Sequence, residues 1–407
     1  MGTKIQTRDR MRPFGDLTPY DEALQVALGL CEPISAHERL PLADCRGRVA
    51  AADVASDVDV PSSDRAAMDG FAVIASDLAG GGEVALQQAG RVLAGDLADT
   101  ELCPGQCLEV ATGARLPHGA DAVVPVEHTR VAADTVVVLE GVAAGNHVSR
   151  RGEDLRRGEV VVAAGARISA PAAAALASIG CDAIDVRRAP RVLLVPTGDE
   201  LVPVGEELRA GQVYDSNSVG VKMVLESNGA VVERTPIVRD DPAALVDGIK
   251  TGAYDLVVTL GGTSVGRHDL VLDVVSSLGE VLVHGIAIKP GKPVLIARVD
   301  ATPVLGLPGF PTSCVFTAHT FAEPMVRRLA GLPPGHRRRV RATLREAVGS
   351  PAGKLQFLTV AVDGDAAVPV YRASSTITSM SRADGWIEIP AEVTALAAGT
   401  PVEVTFF

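Results

Sequence analysis

"DLVVTLGGTSVGRHDLVLDVVSSLG" (255–279) decides how this chain folds. "DLVVTL" is a short run of Val and Leu, the pattern of a strand buried on both faces. "LVLDVVSSLG" repeats apolar residues at helical spacing and ends on glycine. Between the two stand Gly261, Gly262 and Gly266, with Ser264 among them and Asp269 at the helix start. Glycine costs backbone entropy, so such a cluster calls for positive φ or for something that approaches the backbone closely. Strand, glycine loop and helix together form the unit of a parallel α/β sheet. A glycine turn at a helix start also offers N–H groups to an anion.

The alternation continues on both sides. "RVLLV" (191–195) reads as a strand, "SNSVGVKMVLESNG" (216–229) as a helix, "AVVERTPIV" (230–238) as a strand and "DPAALVDGIKTG" (241–252) as a helix. "VLVHGIAI" (281–288), "VLIARV" (294–299) and "TPVLGL" (302–307) are strand-like, and a long helix follows from about Pro311 to Leu329. Residues 191–335 therefore predict a parallel, doubly wound α/β domain. Residues 61–145 hold short Val-rich runs broken by Gly and Asp, which predict an inserted β domain. Around it, 1–60 and 146–190 read as one discontinuous N-terminal domain. Each part carries a helix: "TPYDEALQVALGLC" (18–31) and the Ser-capped "SAPAAAALASIG" (169–180). Residues 336–407 predict a small C-terminal β domain, so the fold class is α/β and β multidomain.

The 407 residues are 47% hydrophobic but only 3% aromatic, so Val, Leu, Ile and Ala must build the cores. The net charge of −12 argues against nucleic acid and against anionic membrane surfaces as partners. No apolar run reaches the ~18 residues of a membrane span, and "MGTKIQTRDRMRPFGDL" (1–17) lacks the apolar region of a signal peptide. The expectation is a cytoplasmic protein. Among the six cysteines only "CPGQC" (103–107) is a close pair, which is too few ligands for a structural zinc site.

Ligands of open α/β sheets bind beyond the carboxyl ends of the strands. Unusual loops stand there: "PTGDEL" (196–201) with Asp199 and Glu200, "RDDP" (239–242) with Asp240 and Asp241, and the glycine loop. "IKPGKP" (288–293) carries Lys289 and Lys292, and "GLPGFPTS" (306–313) opens the last helix. Each has a plain structural reading: Asp199, Asp240 or Asp269 as helix caps, the lysines as a solvated face. Together they read as chemistry. Carboxylates suit Mg²⁺, whose hard-oxygen site usually includes a substrate phosphate. Backbone N–H groups and lysines suit oxyanions. Ser264, His268 and Asp269 do not form a hydrolase triad, since no nucleophile elbow is present.

With these loops assembled, the chain resembles the molybdopterin molybdenumtransferases, the MoeA family that includes the E domain of gephyrin. The resemblance covers nearly the whole chain. It rests on the loops above, on "DRAAMDGFAV" (64–73), "ATGARLPHGADAVVPVE" (111–127), "RRGEDLRRGE" (150–159) and "YDSN" (214–217), and on their order. It implies insertion of molybdenum from molybdate into adenylylated molybdopterin, release of AMP, and Mg²⁺ dependence. It implies a MogA-like α/β domain and a C-terminal barrel-like domain within an elongated homodimer. The family's cleft forms between the α/β domain of one subunit and the N-terminal domains of the other. Transient contact with molybdopterin adenylyltransferase and with molybdoenzymes is implied as well.

Carried over motif by motif, the catalytic set falls on Asp69, Thr112, Asp154, Glu200, Asp240 and Asp269, with Glu200, Asp240 and Asp269 as metal ligands. Anion contacts fall on Gly261, Gly262, Ser264, Gly266, Lys289, Lys292, Pro308, Pro311 and Ser313. One departure stands in "GLPGFP", where family members often carry Asn between the prolines: Phe310 removes that amide. Two other functions compete. A scaffold of the gephyrin type would not need its carboxylates, yet all are kept. A molybdopterin adenylyltransferase would not need the N- and C-terminal domains.

Overall fold

Strand Arg191–Pro196 is the spine of the α/β domain, because its side chains supply two cores at once. Val192 and Leu194 pack on one side of the sheet with Val221 and Leu225 of helix Ser216–Ser227 and with Phe316 and Phe321 of the last helix. Leu193 and Val195 pack on the other side with Leu245 of helix Pro242–Lys250 and with Val271, Val274 and Val275 of helix Leu270–Leu278. That alternation, period two along a strand buried on both faces, makes the sheet doubly wound as expected. These positions belong to a computed structural model that describes residues 15–96, 100–250, 254–262, 270–371 and 373–407.

The sheet has six strands in the order Val231–Arg234, Arg191–Pro196, Leu256–Leu260, Thr302–Leu307, Leu295–Val299, Glu280–His284. Four run parallel, in register from Val192↔Leu256 to Val257↔Val304. The expectation of a wholly parallel sheet needs correcting at the other edge. Leu295–Val299 is antiparallel to both its neighbours. Only Asp300 and Ala301 join it to Thr302–Leu307, with Asp300 at φ 53°. Two residues make a hairpin, whereas a parallel return needs a crossover of a dozen or more. The last helix runs through Pro311–Thr317 and Glu323–Leu329, with a π-helical turn at Ala318–Ala322 between them.

The C-terminal domain closes into a barrel. Strands Leu355–Asp363, Ala366–Pro369, Arg339–Leu344, Pro401–Phe406 and Gly385–Ile389 pair in sequence, and the fifth returns to the first. Ile288 and Lys289 add a short parallel strand to Leu355–Asp363, through Ile288↔Leu355 and Lys289↔Gln356. The scarce aromatics concentrate where barrel and α/β domain meet. Phe316 lies 4.9 Å from Phe357 and 5.5 Å from Trp386, and Tyr20 lies 5.2 Å from Phe357. Such pairs bury large area in fixed geometry and make this seam stiff.

By compactness the chain divides into two units. Among the described residues, one comprises the α/β domain and barrel with 15–38 and 47–49; the other lies within 39–46 and 50–185. The opening helix, Tyr20–Gly29, falls with the α/β unit and not with 146–190. Its stripe of Ala23, Ala27 and Cys31 joins the core of Val192 and Phe321. The second unit centres on a six-stranded sheet, Ala122–Pro125, Gly70–Val73, Gln106–Val110, Val84–Val92, Thr135–Val138, Thr129–Ala132. Helix Ala170–Ser178 begins as expected, with Ser169 Oγ accepting from Ala172 N at 3.3 Å.

Candidate active site

Three parallel strands end side by side, and backbone bonds knit the loops beyond them. Thr197 N donates to Leu260 O at 3.0 Å, and Gly261 N donates to Leu307 O at 3.0 Å. This explains part of the glycine cluster. Gly261 and Gly262 have φ of 95° and 70°. A Cβ on Gly261 would lie 2.7 Å from the Thr197 carbonyl oxygen, and one on Gly262 would lie 2.8 Å from Val271. The first two glycines thus let three strand ends and a helix meet closely. Ser264, Gly266 and Asp269 lie outside the described residues.

Beside this knot is a cavity of about 500 Å³. Gly262, Pro308, Gly309, Phe310 and Ser313 form one wall, and Lys289 to Pro293 form another. Pro311 sits at the first turn of the last helix, where its fixed φ suits the start, and Ser313 follows in that turn. Sequence reasoning missed two residues, Lys354 and Ser374, which the barrel brings into the lining. Neither stood in a motif. The pairing of Ile288–Lys289 with the barrel strand beginning at Leu355 puts Lys354 there, and the bond from Thr312 N to Ser374 O at 3.1 Å puts Ser374 there. Lys289 Nζ lies 5.6 Å from the centroid of the Tyr371 ring. Burial, and then the neighbouring charge of Lys354, holds the Lys292 ammonium below the usual lysine range. Three half-buried lysines thus converge on one cavity. Such a site suits an oxyanion, which relieves their mutual repulsion.

The carboxylates fall into separate groups. Glu200 curls back over Gly198, so that its carboxylate oxygens lie 2.7 and 2.9 Å from where a Cβ there would stand. Asp240 N donates to Asp199 Oδ1 at 3.3 Å, and Arg239 pairs with the same oxygen at 3.7 Å. Asp199 thus ties "RDDP" to "PTGDEL", and Glu200 and Asp240 stand on neighbouring, exposed loops. Among the described residues no group of three His, Cys, Asp or Glu is placed to hold a metal. Two hard oxygen donors at the strand ends, completed by a substrate phosphate, suit Mg²⁺, which seldom has an all-protein cage.

In the other unit Asp69 and Thr112 meet. Asp69 Oδ1 accepts from Thr112 N at 2.6 Å and from Thr112 Oγ1 at 2.9 Å. The backbone N–H first and then the hydroxyl hold this exposed carboxyl below the usual carboxylate range. Gly70, the next residue, begins a strand. Asp154 is exposed, on a loop pinned by other acids. Asp59 accepts from Arg151 Nε at 2.6 Å and from Arg157 N at 2.9 Å, and Asp64 Oδ1 accepts from Arg151 N at 2.8 Å.

A larger cavity of about 630 Å³ lies between the opening helix, the last helix and the barrel. Its cations are engaged. Arg337 pairs with Glu323 at 2.5 Å and sits over Trp386, and Arg328 Nε donates to Cys31 O at 2.8 Å. None of the expected site residues lines it.

Comparison with known proteins covers most of the chain. Residues 18–180 match the MoeA N-terminal region (domain I and II), 194–328 a probable molybdopterin binding domain, and 341–407 the MoeA C-terminal region (domain IV). A molybdopterin molybdenumtransferase 2 from Mycobacterium tuberculosis is 34% identical over 392 residues, covering 92% of this chain and 95% of that protein. A molybdopterin molybdenumtransferase from Haemophilus influenzae is 32% identical over 380 residues, covering 91% and 94%. A solved structure of a molybdopterin biosynthesis moeA protein from Pyrococcus horikosii superposes with TM-score 0.83 at 36% identity, covering 96% of this chain and 99% of that one.

Proposed function

Because this chain belongs to the molybdopterin molybdenumtransferase family, we propose that it inserts molybdenum from molybdate into adenylylated molybdopterin and releases AMP. The observation that carries this reading is the cavity lined by Lys289, Lys292 and Lys354 at the carboxyl end of the sheet. In a chain of net charge −12 it is a local seat for a tetrahedral dianion. The lysines neutralise molybdate, and the Ser313 and Ser374 hydroxyls are donors on the same lining. Glu200 and Asp240, with Asp269, are the residues that would hold Mg²⁺. When bound, that ion supplies charge neutralisation at the phosphates of the adenylylated substrate. Asp69, kept ionised by Thr112, and Asp154 are exposed carboxylates available to carry the two thiol protons to the molybdate oxygen, which leaves as water when the sulfurs bind molybdenum.

A homodimer in the cytoplasm belongs to the same proposal. Val219 and Met223, 53% and 67% exposed, stand four residues apart on helix Ser216–Ser227, an apolar face that a second copy would cover. No helix among the described residues is long and apolar enough to cross a membrane. The test is incubation of the full chain with adenylylated molybdopterin, Mg²⁺ and molybdate, following AMP by chromatography. AMP release that requires both ions supports the reading. AMP release at the same rate without molybdate overturns it.

A further inference from the structure

In "YDSN" (214–217) each polar side chain except Ser216 holds a different part of the chain. Tyr214 Oη donates to Glu206 O at 3.0 Å. Asp215, 4% exposed, caps helix Ser216–Ser227 by accepting from Ser218 N at 3.1 Å and pairs with Arg234 at 2.8 Å. Asn217 Nδ2 donates to the Gly309 carbonyl at 2.8 Å.

Gly309 is the middle of the turn that brings Pro308, Phe310 and Ser313 to the lysine cavity. Its Cα lies 4.0 Å from the position of a Cβ on Gly261, so this turn rests on the glycine loop. Further along, the barrel holds the same segment: Thr312 N donates to Ser374 O at 3.1 Å, and Thr312 Oγ1 to Thr376 O at 2.5 Å. Phe310 has no polar atom to hold the near end. Asn217 holds it, from a helix whose Gly220 faces Val315 of the last helix.

Asn217 does not line the cavity. Its Oδ1 is buried with no hydrogen-bond partner among the described residues. An orphaned acceptor is a cost, and a residue kept for stability alone would shed it. The amide is there for its donor.

We propose that Asn217 is a positioning residue for the oxyanion cavity, acting through the Gly309 carbonyl to set where Phe310 and Ser313 stand against bound molybdate. This rests on reading the lysine cavity as the molybdate site.

The test uses the full chain and three variants: Asn217→Ala, Asn217→Asp and Lys289→Gln/Lys292→Gln. Molybdate binding is measured by calorimetry without the pterin substrate, and AMP release gives kcat and half-saturating molybdate. Asn217→Ala loses one bond and one orphaned acceptor together, so melting changes little. Half-saturating molybdate and Kd are expected to rise about three- to tenfold, the value of one hydrogen bond, with kcat nearly kept. Should Asn217→Ala melt early, Asn217→Asp decides, because an acid in the first helical turn favours the helix while removing the donor. It is expected to fold, at some cost for a partly buried carboxylate, and to bind molybdate more weakly still. A normally folded Asn217 variant with unchanged Kd and half-saturation, beside a double lysine variant that has lost binding, overturns the role of Asn217 alone. A double lysine variant that binds molybdate like the wild type overturns the site reading, and the role of Asn217 with it.

Discussion

Gly291→Ala tests whether the shape of the lysine loop matters as well as its charge. Gly291 stands between the two lysines of "IKPGKP" with φ 103°, where a side chain is strained by about 1–3 kcal/mol. The new methyl would also lie 2.3 Å from Thr317 Cγ2 and 3.2 Å from Ile288 Cδ1. Thr317 is fully buried, and its hydroxyl donates to Ser313 O at 2.7 Å. Turning its methyl aside therefore breaks a bond. Overpacking of this kind costs about 1–3 kcal/mol. Together the two terms come to about 4 kcal/mol, against the ~5–15 kcal/mol that holds a typical domain folded.

The chain can answer by losing stability or by moving the loop. At roughly 2 °C per kcal/mol for a large domain, the first shows as a fall in Tm of about 8 °C. The second displaces Lys289 and Lys292 and raises half-saturating molybdate. A double-mutant cycle with Thr317→Ser separates the terms. Serine keeps the bond to Ser313 O and removes the obstructing methyl, at about 1 kcal/mol for the lost burial. Gly291→Ala/Thr317→Ser should then be less destabilised than the sum of its parts by about 2 kcal/mol, leaving mainly the φ strain. Scanning calorimetry and molybdate titration read both effects. An additive cycle, or a Gly291→Ala variant that melts and titrates like the wild type, refutes the reasoning.

Two more outcomes follow from the site. Lys289→Gln/Lys292→Gln should raise half-saturating molybdate about 100-fold, taking the low end of ~1.5–3 kcal/mol for each charge-assisted contact, and should flatten its dependence on salt; titrating molybdate at low and high ionic strength checks both. Asp69 has a depressed pKa, so what its carboxylate contributes is present above the usual carboxylate range and lost as pH falls through the lowered value. Thr112→Val removes the hydroxyl donor but not the N–H, so the acid limb of the AMP-release profile should move to higher pH, and an unmoved limb would show that Asp69 is not the titrating group.

The parts of the molecule legible in sequence were those written in local pattern. Val192 to Val195 alternate between two cores, and "DLVVTL" with "LVLDVVSSLG" read correctly as strand and helix. The antiparallel edge strand was hidden because "VLIARV" and "TPVLGL" are equally apolar, and only the two-residue link between them betrays the hairpin. Of the lysine cavity, Lys289, Lys292 and Ser313 were legible because proline and glycine mark their loops. Lys354 was not, because a lone lysine in "AGKLQF" looks like any solvated turn. Its partners are 62 residues away in Lys292 and 65 in Lys289, and the pairing of Ile288–Lys289 with the barrel strand at Leu355 brings them together. The grouping of Glu200 with Asp240 was visible as loop order, but the role of Asp199 in tying those loops was not.

Lysines kept for solubility would stand apart in water, each near its ordinary pKa. Lys289, Lys292 and Lys354 instead come together half-buried, and Lys292 is held below the usual lysine range by burial and by Lys354. The fold enforces this from two sides. Pro290 and Pro293 stiffen the loop that carries the first pair, and Tyr20, Phe316, Phe357 and Trp386 lock the barrel that carries the third. A seam stiff enough to hold like charges together has stored part of the work of binding a dianion before the dianion arrives. Ser313, Ser374 and Gly309 stand on the same lining as the three lysines, and Asn217 holds the Gly309 carbonyl. On the proposed reading, the oxyanion seat is made by the meeting of barrel and α/β sheet, and not by any one loop.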